Sequence, residues 1–218
     1  MTPTDAEWAG RREAMVRDQI EARGVADPRV LEAMRKVPRH RFVPDPVLAY
    51  AYSDEPLPIG DGQTISQPFI VAYMTEALRL GPAARVMEIG TGSGYQTAVL
   101  AEIAAQVFTI EIVAGLAARA KGLLQDMGFR NIRFRTEDAA PGWPEEAPFD
   151  AIMATAAPAA VPPAWPAQLK PGGTLVLPVG AGPQSLVRIV RQGTGWRQEH
   201  LLDVRFVPLI RGREGEDP

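Results

Sequence analysis

The sequence predicts an α/β fold, with a mostly parallel, doubly wound sheet, antiparallel edge strands and an N-terminal helical extension. Three observations predict it. From residue 85 onward, short apolar runs alternate with helical patterns, which builds a parallel sheet covered on both faces. The glycine-rich turn Gly90-Thr91-Gly92-Ser93-Gly94 stands where the first of these strands passes to a helix. The last two apolar runs are separated by a Gly-containing turn with no helix between them, which suits an antiparallel edge.

The elements follow in order. Residues 6–23 read as a charged helix whose thin apolar face holds Met15 and Ile20. Residues 28–36 read as a second helix with Val30, Leu31 and Met34 on one side, ended by Pro38. Residues 44–68 are dense in turn formers: Pro44, Pro46, Pro56, Pro58, Gly60, Gly62 and Pro68. A loop of that length in a compact domain is usually functional or disordered. Leu57, Ile59 and Ile65 argue that this one is ordered. Residues 69–80 form a helix with a stripe of Phe69, Ile70, Tyr73, Met74, Ala77 and Leu78, stopped by Gly81-Pro82. Strands are then predicted at 85–89, 106–111, 132–136, 149–155 and 174–179. Helices are predicted at 95–105, 113–127 (closed by Gly128) and 163–169. The strand at 174–179 is entered through a turn at Lys170-Pro171-Gly172-Gly173, and further strands are expected at 186–190 and 204–209. The division is one domain over 1–218: extension and loop at 1–80, α/β core at 81–210, polar tail at 211–218.

Composition excludes whole classes. The chain has 218 residues, 46% apolar and 22% charged, and a mean hydropathy of -0.08, so it can bury a core and is not disordered over most of its length. A net charge of -3 speaks against a nucleic-acid partner. The one dense basic stretch, Arg35 to Arg41, reads as a solvated helix end and loop. With no cysteine and two distant histidines, His40 and His200, neither a Cys- or His-based metal site nor thiol or Ser-His-Asp catalysis is expected. The first residues lack a signal-peptide pattern, and no apolar stretch approaches the roughly 18 residues of a membrane span, so no membrane partner and a cytoplasmic location are expected. Monomer is the default.

The glycine turn carries the chemistry. Glycines let the backbone approach a ligand, and the helix beyond offers free N–H groups. A dinucleotide enzyme needs G-x-G-x-x-G, with a pyrophosphate on the helix N-terminus. Here Tyr95 takes the place of the third glycine and the pattern is G-x-G-x-G. Glu88 precedes the first glycine; a carboxylate there repels a pyrophosphate and suits a cation. S-adenosylmethionine, with its sulfonium and ammonium groups, fits better. Glu111 ends the next strand, where a carboxylate accepts ribose hydroxyls, and Asp138 after the third strand could lie near the adenine. Each residue has a plainer reading. The turn alone is often only a turn, and a strand-end acid is usually solvated; the order and spacing together favour a nucleoside site with Gly90, Thr91, Gly92 and Gly94 in the cradle.

The sequence resembles the protein-L-isoaspartate (D-aspartate) O-methyltransferase family over nearly its whole length. The residues that carry the resemblance are Val37-Pro38-Arg39-His40-Arg41-Phe42-Val43-Pro44, Leu57-Pro58-Ile59-Gly60, Gly62-Gln63-Thr64-Ile65-Ser66-Gln67-Pro68 and Glu88-Ile89-Gly90-Thr91-Gly92-Ser93-Gly94-Tyr95-Gln96-Thr97-Ala98. Thr155-Ala156-Ala157, Leu177-Pro178-Val179-Gly180 and Val204-Arg205-Phe206-Val207-Pro208-Leu209 continue it. The glycine motif marks methyltransferases in general, whereas Thr64-Ile65-Ser66-Gln67-Pro68 is far more specific. The resemblance implies a Rossmann-like class I methyltransferase fold and methyl transfer from S-adenosylmethionine to the free α-carboxylate of L-isoaspartyl residues in proteins and peptides. The products are S-adenosylhomocysteine and an ester that closes to a succinimide and opens partly to aspartate. It also implies Ser66 as the active-site residue, with Thr64 and Ile65 beside the cofactor.

A carboxylate of ordinary pKa is ionised at pH 7, so no general base is needed and Ser66 serves to position it. Ser66 also reads as a cap of the helix after Pro68. The peptide groove is expected between the loop at 57–68 and the segment at 204–209, with Ile59 and Val207 as walls, and the N-terminal extension is expected to fold over the cofactor. One departure stands out: Glu137-Asp138-Ala139 replaces the family's Gly-Asp-Gly. The competing readings are a methyltransferase of a small-molecule carboxylate, a non-catalytic nucleoside-binding protein and a dinucleotide oxidoreductase.

Overall fold

The structure, a computed structural model, describes residues 3–193 and 195–212. Its centre is a seven-stranded sheet in the order β5-β4-β3-β6-β7-β8-β9. The strands are β3 (Arg85–Ile89), β4 (Gln106–Glu111), β5 (Ile132–Thr136), β6 (Phe149–Ala154), β7 (Leu169–Val179), β8 (Gln184–Gln192) and β9 (Gly195–Val204). β5 to β7 pair in parallel; β7, β8 and β9 pair antiparallel. Strand order reverses between β3 and β6, so a crevice opens at the C-terminal ends of these two strands. That is where the glycine turn leaves β3.

The central strands are apolar on both faces because both are covered. Met87, Ile89, Phe108, Ile110 and Ile152 pack into one layer, and Val86, Val107, Ala151 and Met153 into the other. The covering helices include α4 (Tyr95–Ile103) and α5 (Ala114–Asp126), with the short α6 (Ala164–Ala167) before β7.

The N-terminal region forms as the sequence predicts, with local capping. In α1 (Asp5–Ala14) the Thr4 hydroxyl accepts from the Glu7 N–H, and the Glu7 carboxylate accepts from the Thr4 N–H. A π-helical stretch, Met15–Ile20, continues it. In α2 (Pro28–Lys36) the Asp27 side chain accepts from Arg29 N–H and Pro28 opens the first turn. These helices pack against α3 (Pro68–Ala77) and α4: the Tyr95 hydroxyl reaches Met34 Sδ at 3.7 Å, and Phe42 meets the Tyr95 ring edge-on at 5.5 Å. They do not line the glycine turn's ligand face, although the sequence reading expects the extension to fold over it. A small hairpin does, formed by β1 (Leu57–Gly60) and β2 (Gln63–Ile65) within the proline-rich loop. Proline and glycine density hid it: Gly60, Asp61 and Gly62 all have positive φ and make a turn tight enough for strands of four and three residues.

Two further corrections concern the C-terminal part. β7 starts at Leu169, and Pro171-Gly172-Gly173 is an irregularity inside the strand, where register with β6 shifts between Phe149 and Ala151. The last strand is β9 at Gly195–Val204, not 204–209. β9 lies at the sheet edge and is mostly exposed, so it lacks apolar alternation. The apolar residues after it cross the sheet's end instead. The Val207 carbonyl accepts from Ala157 N–H at 2.9 Å, and Leu209 N–H donates to the Ala157 carbonyl at 2.8 Å. Of the expected polar tail, Arg211 and Gly212 are described and 213–218 lie outside the described residues.

Candidate active site

β3 delivers the glycine turn because its end is pinned on both sides. Gly90 N–H donates to the Ile110 carbonyl, and Thr155, just past β6, donates its hydroxyl to the Gly90 carbonyl at 2.6 Å. Gly90, Gly92 and Gly94 have φ of 91°, 54° and 88°, which L side chains rarely adopt. At Gly90 there is also no space: a Cβ would lie 2.4 Å from Thr155 Oγ1. Glu111, at the end of β4, bridges the turn to the next helix. Its Oε2 accepts from Gly92 N–H at 2.8 Å and its Oε1 from Val113 N–H at 2.9 Å.

A cleft lies over this turn. Its floor includes Gly90, Gly92, Ile110, Glu111 and Ala139; Gln63 and Thr64 of the hairpin form one wall, and Val207 to Ile210 another. Among the described residues, the only ionisable side chain lining it is Glu111. Among the described residues the cleft therefore presents one carboxylate, able to receive hydroxyl groups or a cation, and no cation for a pyrophosphate. That donor set, with two bare glycine Cα atoms in the floor, fits a nucleoside carrying a sulfonium and an ammonium group.

A second cavity of about 310 Å³ adjoins it, lined by Pro56, Ser66, Gln67, Ile70, Phe206 and Arg205 among others. Thr64, Thr155 and Val207 line both cavities. Ser66 is half-buried, and among the described residues its hydroxyl makes no hydrogen bond. It is not the helix cap expected from sequence. Gln67 holds the cap position of α3 but its side chain makes no bond to the helix's first N–H groups, and Asp54 Oδ1 accepts the Phe69 N–H at 3.2 Å.

Of the residues singled out from sequence, Thr64, Gly90, Gly92, Glu111 and Val207 line the cleft, and Ser66 lies next door. The others stand behind it. Ile65 is buried in the core under the hairpin, because alternation in β2 points it opposite to Thr64. Gly94 packs against Ala120 and Leu124 of α5. Glu88 is fully buried below the turn, where Thr97 and Thr109 hydroxyls donate to its Oε2 at 2.5 and 2.7 Å. Burial pushes its pKa up to about 8, against the pull of those two hydroxyls. It does not face the cleft as a carboxylate for a cation. Thr91 is buried with it and bonds Thr109 at 2.6 Å.

Asp138 does not reach the cleft either; its neighbour Ala139 does. Burial alone would raise the Asp138 pKa, but hydrogen bonds from Ala140 N–H, Arg211 and Gly212 N–H hold it below its ordinary value. Ile59 lines a different cavity, with Ser93, Leu116 and Leu123, rather than the one beside Ser66. Among the described residues no group of three metal-ligating side chains occurs. Thr155 was not singled out as a site residue, although the rule that ligands sit at the C-terminal ends of parallel strands points to it. Asp54 carries no such signal.

Residues 10–214 match the family described as protein-L-isoaspartate(D-aspartate) O-methyltransferase. The chain belongs to that family. A protein-L-isoaspartate O-methyltransferase of Synechococcus sp. is 54% identical over 218 residues, covering 95% of this chain and 89% of the relative. Protein-L-isoaspartate O-methyltransferase 2 of Shewanella sediminis is 56% identical over 200 residues, covering 91% and 82%. A solved protein-L-isoaspartate O-methyltransferase superimposes with a TM-score of 0.84 at 29% identity, covering 90% of this chain; the chain spans 65% of that protein's length. A beta-aspartate methyltransferase from Plasmodium falciparum, solved in complex with S-adenosyl-L-homocysteine, superimposes with a TM-score of 0.80 at 24% identity, covering 92% and 99%. Membership in this methyltransferase family makes S-adenosylmethionine the methyl donor. No described helix is long and apolar enough to cross a membrane.

Proposed function

We propose that this chain methylates the free α-carboxylate of L-isoaspartyl residues in damaged proteins and peptides, the first step of their return to aspartate through a succinimide. The observation that carries it is the shared wall. Thr64, Thr155 and Val207 line both the cleft over the glycine turn and the cavity beside Ser66. A donor held in the first therefore meets an acceptor held in the second.

The donor supplies a sulfonium-bound methyl carbon, which a carboxylate oxygen takes while the C–S electron pair stays on sulfur. No proton moves, since the acceptor is already ionised at pH 7. The chain's task is alignment and exclusion of water. Glu111 receives ribose hydroxyls; the Gly90 and Gly92 backbone lets the donor lie close to β3; Thr64 and Val207 form the passage. The free Ser66 hydroxyl donates to the incoming carboxylate. Ile70, Val204 and Phe206 give its cavity apolar walls. Glu88, Thr91, Gly94, Ile65 and Asp138 act by holding the cleft's shape. We further propose that the chain works as a monomer in the cytoplasm, without nucleic-acid or membrane partners; a net charge of -3 supports the absence of nucleic acid.

The test uses labelled S-adenosylmethionine with two peptides that differ only in isoaspartate or aspartate at one position. Base-labile label on the isoaspartyl peptide alone is expected, and Ser66→Ala should cut it about 10–100-fold. Label on neither, with S-adenosylhomocysteine still raising the melting temperature, would move the substrate to a small carboxylate.

A further inference from the structure

Ser66 has no hydrogen bond of its own among the described residues, so its direction is set by what holds its neighbours. Both of the next anchored residues are held by Asp54, which lies in the turn before the hairpin. Gln67 Nε2 donates to Asp54 Oδ2 at 2.7 Å and to the Asp54 carbonyl at 3.0 Å. Phe69 N–H donates to Asp54 Oδ1 at 3.2 Å. The same carboxylate is paired with Arg23 at 2.7 Å, at the end of the N-terminal helical region, and the Arg23 guanidinium lies 3.5 Å over the Phe69 ring. Asp54 is three-quarters buried as it does this. Four contacts thus converge on one carboxylate and its own carbonyl. They fix residues 67 and 69 while leaving the Ser66 hydroxyl free for a ligand.

We propose that Asp54 is a positioning residue for methyl transfer: through Gln67 and Phe69 it sets the direction in which Ser66 presents its hydroxyl to the acceptor carboxylate. Asp54 touches neither cavity, whereas Ser66 and Gln67 both line the acceptor side. Loosening this tie therefore misplaces the acceptor and leaves the donor cleft intact. A mere helix cap would behave differently. It would lower the melting temperature and leave the turnover of the remaining folded enzyme unchanged. The proposal rests on the isoaspartyl reading of the site.

The experiment measures steady-state methylation of an isoaspartyl peptide by the full chain, alongside S-adenosylhomocysteine affinity and thermal melting. The variants are Asp54→Asn, Gln67→Met and the pair. Asparagine keeps an oxygen for Phe69 N–H but turns a donor toward Gln67 and Arg23. Expected is a fall in kcat of about 10–100-fold for each single variant, with donor-site affinity within about twofold of wild type. The pair should lose little more than the worse single change, because both break one tie. Unchanged kcat in folded variants, or a loss that merely tracks donor affinity, would overturn the proposal, as would fully additive losses. Should Asp54→Asn not fold, Gln67→Met decides, since it leaves the carboxylate and the Phe69 bond in place. A wild-type chain that binds S-adenosylhomocysteine yet methylates no isoaspartyl peptide would overturn the substrate reading itself, before any variant is compared.

Discussion

Glu111 Oε2 accepts the Gly92 N–H at 2.8 Å, so the carboxylate that ends β4 also shapes the glycine turn that follows β3. The other oxygen takes Val113 N–H, so one residue joins two turns at the cleft floor. Glu111→Gln keeps the shape but points an amide N–H₂ at one of these donors. A buried donor facing a donor costs about 1–3 kcal/mol. S-adenosylhomocysteine affinity measured by calorimetry should fall about tenfold or more; unchanged affinity would remove Glu111 from the donor site.

Gly90→Ala should be far more damaging than its size suggests. The added Cβ meets Thr155 Oγ1 at 2.4 Å, at a φ of 91°. Thr155 cannot retreat without giving up its bond to the Gly90 carbonyl. Gly122, on the exposed side of α5, has nothing within 4 Å of a built Cβ. There alanine should stabilise by about 0.5–1 kcal/mol through helix propensity. Melting curves should move about 2–4 °C upward per kcal/mol for Gly122→Ala, and downward with loss of ligand response for Gly90→Ala.

Glu88 gives the fold a pH dependence of definite sign. Its folded pKa is raised to about 8 by burial, above the 4.5 of the unfolded chain. Between these values the native state binds more protons than the unfolded one, so this residue's contribution falls as pH rises. It is fully favourable below about 4.5 and lost above about 8. Glu88→Gln keeps an oxygen for the Thr97 and Thr109 hydroxyls and cannot ionise. Its melting temperature relative to wild type should therefore climb between pH 5 and 8.5; parallel curves would show that Glu88 does not titrate there.

Arg211 donates to Asp138 at 3.0 Å, and Gly212 N–H reaches the same carboxylate at 3.0 Å. This clasp closes the segment whose residues 207–210 wall the cleft. The clasp therefore helps to hold one wall of the cleft in place. Arg211→Ala should speed S-adenosylhomocysteine release several-fold in stopped-flow, with a smaller change in kcat than in the off-rate. Because the Asp138 pKa is depressed, wild type should approach the variant only as pH falls below the ordinary carboxylate range.

Much of the fold was legible because local chemistry and tertiary demand agreed. The runs at 85–89, 106–111 and 132–136 are strands with the bounds read from their apolar content, and Pro28 and Gly128 mark helix limits where expected. Where the two disagreed, the reading failed. Phe206, Val207 and Leu209 looked like a strand because they are apolar, but they are apolar to wall a site. β9 escapes the sequence reading because it lies at the sheet edge with most of its residues exposed.

The α/β class and the glycine turn at 90–94 were legible in the sequence, since both depend on residue type at short spacing, whereas Ser66 stood out only through the family resemblance. Which of these residues line the cleft was settled by the closed fold. A side chain's direction depends on strand alternation and on partners far away in the chain. Thus Thr64 faces the cleft while Ile65 is core, Glu88 lies under the turn with Thr97 and Thr109, and Asp138 grips Arg211, 73 residues later. No local pattern encodes such contacts, because they form only when the chain has closed on itself.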